Sequence, residues 1–353
     1  MKLFCPGPVN VSENVINSIS NIQIGHRSKD FEDLFKNIKA NILKLSKADS
    51  SYDCVILSSS GSSANESVIA SLFTSKDKIL ILSNGSFGER IAKMVNSYKL
   101  NYHILTTEWG SDLNLENLQK HLQANSYDYL FVSHDETSSG LLNPITELGL
   151  MCKQYNIKFF VDCVSSLASD EVDIQKQNIS IMTAVSGKAL GGLPGASIVV
   201  MKKYLFDKTM VNKVQSSYLN LANYYDFSIN KNQTPNTPNI TSFISLDVAL
   251  KECVKTSKQP RYIECSNYLR DEFELLNIAF VIERFKMSNT VTTIILPKEI
   301  PAKKMYDKLY QNGFTTYLTR GVFEEMNCLQ VCVMGEIYLE DCKKFIEVFK
   351  SLL

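Results

Sequence analysis

Apolar positions along this chain fall into two rhythms. Between residues 30 and 48 they recur at helical spacing (Phe31, Leu34, Phe35, Ile38, Ile42, Leu45), which predicts a helix with one buried face. Short, mostly apolar runs follow, over residues 55–57, 79–82, 102–105, 129–133 and 158–161. Runs of that length predict buried strands. Helix-like segments separate them, over 64–73, 87–98, 115–122 and 145–155. Strands alternating with helices of this length predict an α/β fold with a mostly parallel, doubly wound sheet.

After about residue 240 the texture changes. Residues 242–255 and 262–276 read as two successive helices. Strands over 278–282 and 290–296, a helix over 301–312, a strand over 329–333 and a last helix over 339–353 follow. This predicts a smaller α+β C-terminal domain, joined through the proline-bearing segment 233–238. Residues 1–15 hold Pro6-Gly7-Pro8, too turn-prone for regular structure, and predict an extended arm laid over another part of the chain. The expected division is an arm over 1–15, a large domain over 16–240 and a small domain over 241–353.

Composition narrows the function. The 353 residues carry 37 basic and 37 acidic side chains, with no basic block. Neither nucleic acid nor an anionic membrane surface is an expected partner. The N-terminus lacks the apolar core of an export signal, and no apolar run nears the ~20 residues of a membrane span. Nine cysteines are scattered singly, without a CxxC pair. Such a set fits buried free thiols in a reducing cytoplasm better than a disulfide frame. His26, His103, His121 and His134 show no metal-ligand spacing. The expected location is cytoplasmic, with no metal.

Ligands of open α/β sheets sit beyond the carboxyl ends of the strands, and the candidate chemistry lies there. Residues 183–197, TAVSGKALGGLPGAS, put Lys188 at the head of a glycine loop between two apolar runs. Such a lysine is either a point charge for a phosphate or an amine nucleophile that forms a Schiff base with a carbonyl cofactor. Residues 58–63 (SSSGSS) form a Ser/Gly cup at a helix start, suited to a phosphate. They match neither GxGxxG nor GxxxxGK[ST], so dinucleotide and nucleoside triphosphate binding lose support. Phe87, between Gly85 and Gly88, can lie on an aromatic ring. Residues 134–140 (HDETSSG) cluster hydroxyls and carboxylates, and Asp162 closes another strand as a cap or as partner to a cationic ring nitrogen.

In that order the chain resembles the class V (alanine–glyoxylate-like) pyridoxal-phosphate aminotransferases, and looks most like their 2-aminoethylphosphonate–pyruvate transaminase branch. The resemblance runs from Pro6-Gly7-Pro8 to Gly335-Glu336 and is carried by NGSFGER (84–90), ETSSGLLNP (136–144), VDCVSS (161–166) and the lysine loop. It implies a fold-type I transferase with pyridoxal 5'-phosphate as cofactor. Lys188 would carry the internal aldimine and move the substrate α-proton, and Asp162 would keep the pyridine nitrogen protonated so that the ring acts as an electron sink. Phe87 would stack on one ring face and Val164 pack the other. Gly61, Ser62 and Ser63 would hold the phosphate, and Thr137 or Ser138 the ring hydroxyl. Segment 233–238 resembles a loop in which a threonine, here Thr234, reaches the neighbouring subunit's phosphate. A homodimer with shared active sites follows, moving an amino group from a small amine to a 2-oxo acid such as pyruvate.

The pattern breaks at two places. Gly187 stands where relatives carry a polar side chain before the lysine. Gln330, in LQVCVMGE (329–336), stands where the branch has an arginine that clamps the substrate's carboxylate or phosphonate. A neutral amide makes no bidentate charged pair. Arg320, in the nearby loop 318–323, is the first candidate for a substitute clamp and Arg27 the second. The alternatives are an amine without the usual anion, or lyase or decarboxylase chemistry on the same cofactor. A cysteine desulfurase shares the fold, but Cys328 and Cys332 lie in a segment that reads as a buried strand.

Overall fold

Seven of the apolar runs line up side by side in the computed structural model, which describes residues 1–20, 23–212 and 214–353. They are β1 (Tyr52–Leu57), β2 (Ile79–Ser83), β3 (Tyr102–Thr106), β4 (Tyr129–Ser133), β5 (Lys158–Asp162), β6 (Ile179–Val185) and β7 (Ser197–Lys202). Their spatial order is β1-β7-β6-β5-β4-β2-β3. Strand β7 is antiparallel to both neighbours and the other pairings are parallel. The mostly parallel, doubly wound sheet is therefore present.

Alternate residues of each strand enter opposite cores. Ile56, Leu80, Leu130, Phe159 and Ile198 face the helices Lys29–Leu45, Ile145–Gln154 and Ile240–Lys255. Val55, Ile79, Tyr129, Phe160 and Val199 face the helices Gly61–Leu72 and Ser86–Ser97. With both faces covered, the interior strands show no polar alternation and read as apolar runs, whereas the edge strand β3 keeps His103 and Thr106 exposed. The helix Ile240–Lys255 follows the proline segment in sequence yet packs Phe243, Leu246 and Leu250 into the same core as Phe31 and Phe35. The Phe31 and Phe243 ring centroids lie 5.7 Å apart.

A second sheet is built from β8 (Ala279–Phe280), β9 (Val291–Ile295), β10 (Tyr317–Leu318) and β11 (Cys328–Cys332), in the antiparallel order β8-β9-β11-β10. Phe273, Met305 and Phe345 cover it from three helices, Gln259–Leu275, Ala302–Gln311 and Leu339–Leu352. The strand expected over 278–282 shortens to two residues because Ile282 turns into a small cluster with Leu141 and Met287. Two helices without a sequence prediction, Lys203–Val211 and Leu221–Lys231, are joined by Phe206 stacked on Tyr225 at 4.3 Å. No helix among the described residues is long and apolar enough to cross a membrane.

The chain start is stitched to the body around the second sheet, its first two paired residues making a separate two-stranded sheet. Lys2–Leu3 pairs in parallel with Phe314–Thr315, the Phe4 carbonyl accepts the Cys332 N–H at 3.0 Å, and Asn10 bridges Gly335. Gly335 has φ +75°, and a Cβ there would lie 2.3 Å from the Asn10 carbonyl oxygen. Gly335→Ala is therefore expected to cost about 1–3 kcal/mol and to loosen the arm. A lower urea midpoint together with faster proteolysis before residue 12 checks this, and parental stability would refute it.

Candidate active site

Five strand ends meet at one edge. Strands β1, β2, β4, β5 and β6 end there, and antiparallel β7 begins there, because Ser197 pairs with both Leu57 and Val185. Residues 186–196 are thus a connection closed at its base. The Ser186 N–H donates to the Ala196 carbonyl and the Gly192 N–H to the Ser186 carbonyl, both at 2.9 Å. Outside the loop, Tyr262 Oη donates to the Ala189 carbonyl at 2.8 Å and Lys258 Nζ to that of Leu190 at 2.9 Å. A loop fixed at so many carbonyls holds its lysine in one place.

Lys188 is half-buried, and its Nζ donates to the carbonyl oxygen of Pro6. Gly7 makes that approach fit: it has φ +120°, and a Cβ there would come 2.9 Å from Lys188 Cδ. Burial is the main force on the amine and pushes its pKa below the ordinary lysine value, while Asp135 and Asp162 pull weakly the other way. A lysine with more neutral character at working pH is a better nucleophile for a carbonyl.

Across the same cavity lies Asp162, buried but lining the space. One carboxylate oxygen accepts the Val164 N–H at 2.8 Å and the other accepts Asn65 Nδ2 at 2.7 Å. The Thr183 hydroxyl donates to Asn65 Oδ1 at 2.6 Å, which fixes the amide's orientation. Desolvation raises the Asp162 pKa, and these donors restrain the rise. Among the described residues no cation pairs with it. A buried carboxylate held on two sides and open on the third fits a protonated ring nitrogen.

The phosphate end also fits. Ser59, Ser60, Gly61 and Ser62 line this cavity of about 400 Å³. The helix Gly61–Leu72 starts there with no side-chain cap, so its first N–H groups face the space as anion donors. A Cβ on Gly61 would come 2.8 Å from Val164 Cγ2, so the helix start and Val164 touch. Phe87 and Val164 both line the cavity. Ser63 does not; its hydroxyl bonds that of Ser60 at 3.1 Å.

A second cavity of about 440 Å³ shares Gly7, Phe87, Arg90 and Lys188 with the first, and Thr137, Ser138, Arg320 and Gln330 line it. The Thr137 hydroxyl donates to Ser165 Oγ at 2.8 Å, and the Ser138 hydroxyl bonds Glu136. Glu136 is buried beneath the start of the helix Ser86–Ser97, accepting the N–H groups of Phe87 and Gly88 at 3.2 and 3.3 Å. Burial raises its pKa while those donors oppose the rise. His134 stays neutral, its pKa pushed down to about 3 by burial, and bonds Ser166 at 3.0 Å.

The two departures in the sequence have different structural meanings. Gln330 Nε2 donates to the carbonyls of Thr137 and Ser138 at 2.8 and 3.0 Å and to the Thr293 hydroxyl at 3.0 Å. That amide ties β11 to the 134–140 loop. Arg320 is exposed and lines the second cavity. Arg27 lines neither; it holds Gln233 Oε1 and the Thr234 and Pro235 carbonyls at 2.7–2.8 Å. Thr234 also lies outside both linings, its hydroxyl donating to the Asn236 carbonyl at 2.8 Å. Gly187 lines the first cavity, packed against Pro194.

Sequence reasoning missed Asn65, Arg90 and Trp109. Arg90 borders both cavities, its guanidinium 4.5 Å from the Phe87 ring centroid and 3.3 Å from Ser62 Oγ. Its spacing of three residues from Phe87 on one helix was the available signal. Asn65 sits one turn into its helix, and nothing local marks it. Cys328 and Cys332 are buried in β11, so neither offers the exposed thiol of a desulfurase.

A doubly wound sheet with a half-buried lysine and a buried carboxylate facing one anion-binding helix start describes the fold-type I pyridoxal-phosphate enzymes. The alanine–glyoxylate aminotransferase of Nostoc sp. superposes with a TM-score of 0.92 at 23% identity, covering 99% of this chain and 94% of that one. Residues 10–270 match the aminotransferase class-V family, and the chain belongs to it. An uncharacterized aminotransferase of Methanocaldococcus jannaschii is 31% identical over 310 residues, 86% of this chain and 79% of that protein. The 2-aminoethylphosphonate–pyruvate transaminase of Lysinibacillus sphaericus is 26% identical over 361 residues, 100% of this chain and 97% of that protein. The protein is an aminotransferase whose cofactor is pyridoxal phosphate.

Lys188 should therefore capture the cofactor at lower pH than an ordinary lysine. In the apoprotein the attachment rate is expected to rise with pH and level off below the usual lysine value of 10.5. Lys188→Ala should show no attachment. A rate that keeps climbing through pH 10.5 would contradict the burial argument.

Proposed function

We propose that this aminotransferase takes a small primary amine bearing an anionic end, of the 2-aminoethylphosphonate type, and passes its amino group to a 2-oxo acid such as pyruvate. The relatives named for that donor and acceptor support the reading. The observation that carries the chemistry is the pairing, across one cavity, of a half-buried amine without a carboxylate partner among the described residues (Lys188) and a buried carboxylate without a cation (Asp162). Bound there, the cofactor supplies a carbonyl for amine exchange and a ring that accepts electrons from the substrate carbon.

This chain's residues do the remainder. Lys188 attacks a carbonyl as the neutral amine, and once displaced it lifts a proton from the substrate carbon and returns it elsewhere. Asp162, fixed by Asn65 and the Val164 N–H, holds the proton on a ring nitrogen. Phe87 and Val164 press on the two faces, and Ser60, Gly61 and Ser62 with Ser63 nearby receive the phosphate. Thr137 or Ser138 turns toward the ring hydroxyl.

The proposed assembly is a cytoplasmic homodimer with shared sites. Thr234 lies outside its own chain's cavities, with its carbonyl held by Arg27 and its side chain buried, so reaching a neighbour's phosphate requires the 233–238 loop to turn outward on assembly. Exposed apolar side chains at Tyr204, Met210, Val211, Tyr218 and Ile229 also suit coverage by a second copy.

The test is the visible spectrum of the holoenzyme titrated with 2-aminoethylphosphonate, alanine, glutamate and cysteine separately. Loss of the lysine-bound cofactor band with 2-aminoethylphosphonate is the expected outcome. A band that none of these amines converts would exclude transamination of all four. Asp162→Asn is expected to retain the cofactor-binding lysine but slow the conversion by roughly 10²–10³-fold, as for loss of one preorganised electrostatic group.

A further inference from the structure

The second cavity carries more positive charge than its walls neutralise. Arg90, Lys93 and Arg320 line it, with Glu89 as its carboxylate. Glu89 Oε1 is taken by the indole Nε1 of Trp109 at 2.8 Å. Arg90 rests on the Phe87 ring and the Ser62 hydroxyl. Among the described residues, no carboxylate lies within ion-pair distance of any of the three cations.

The backbone around Arg320 is fixed while its guanidinium is free. On one side the Thr319 hydroxyl donates to the Cys328 carbonyl at 3.0 Å. On the other, Gly321 has φ +58° and lies so close to Trp109 that a Cβ would come 3.1 Å from the indole. Phe323 packs on the same indole with centroids 6.0 Å apart. A glycine turn seated on a tryptophan thus aims an unpaired arginine at the cavity. Gln330 offers no competing clamp, since its amide donors serve two carbonyls and a hydroxyl.

We infer that Arg320, with Lys93 and Arg90, forms the subsite for a tetrahedral phosphoryl dianion at the end of the substrate remote from the reacting amine. The inference deepens the transaminase reading and rests on it in taking this cavity as the substrate compartment. A carboxylate has two oxygens and one charge, which a single guanidinium satisfies. A phosphonate or phosphate ester has three terminal oxygens and up to two charges, so a planar fork and a point-charge ammonium engage it together. Discrimination between the two anion classes then resides in the 319–323 loop.

The chain has one tryptophan, Trp109, and it lines this cavity, so its emission reports occupancy directly. The holoenzyme, with cofactor filling the Ser60–Ser62 cradle, is titrated with ethylphosphonate, ethyl phosphate and propionate, which carry no amine. At least one phosphoryl probe is expected to half-saturate at a concentration about ten-fold or more below propionate, and the tighter of the two names its source class. Arg320→Gln should raise that half-saturation about ten-fold or more, with Lys93→Gln giving a smaller rise, while the visible cofactor band stays parental. Should Arg320→Gln not fold, Arg320→Lys, which keeps the charge and loses the fork, replaces it with an intermediate rise expected. Equal affinity for propionate, or parental binding by the Arg320 variant, overturns the subsite. Phosphoryl binding through Arg320 in a holoenzyme that no amine converts would sink the transaminase substrate and leave the subsite standing. Conversion with the Arg320 variant unaffected would do the reverse.

Discussion

Everything at this site hangs on the pairing of Val185 with Ser197. Were β7 parallel like its neighbours, the segment after β6 would have to cross the sheet, and Lys188 would be carried away from the strand ends. The antiparallel turn-back keeps eleven residues, 186–196, at the edge where β1, β2, β4 and β5 also finish. Ser186 and the glycines close that loop with backbone bonds while Tyr262 and Lys258 pin it from outside, so the lysine's place is set by sheet register and then locked by two side chains.

The electrostatics are built incomplete. Lys188, Asp162 and Arg320 each lack a counter-ion among the described residues; Asp162 is buried and Lys188 half-buried, where an unmatched charge is costly. Glu136 shows the contrast, since two helix-start N–H groups meet its charge within the chain. Groups left unmatched by the polypeptide are the ones a ligand completes, and a fold of this size can carry their cost elsewhere. The two cores that enclose the sheet supply that reserve, with apolar residues almost wholly removed from water on both faces.

Much of this was legible from residue order. The apolar runs gave the strands because two-sided burial erases polar alternation, and each run stopped where Ser58, Asn84, His134 or Ser186 begins a polar loop. Lys188, Asp162, Gly61 and Phe87 could be named because they sit at those stops. What escaped depends on contacts across the sheet. Asn65 matters only because its helix brings it to Asp162 and Thr183. The helix Ile240–Lys255 looks like the start of a new texture, yet its phenylalanine belongs to the core formed by the Lys29–Leu45 helix. Gln330 read as a lost clamp; in space it is a brace between β11 and the 134–140 loop.

The stitching of the chain start has a mechanical consequence. Residues 2–4 and Asn10 are bonded to the body of the second sheet, while the helix Glu13–Ser18 lies against Ile240–Lys255 beside the first. The polypeptide therefore crosses between the two bodies once near residues 10–13 and again near 255–259. A body tethered at one point can pivot in any direction; tethered at two, it swings easily only about the line joining them. Across that line the Gln330 amide holds the Thr137 and Ser138 carbonyls and the Asn289 N–H holds Asp170, so any swing of the β11 side over Lys188 must first break those bonds.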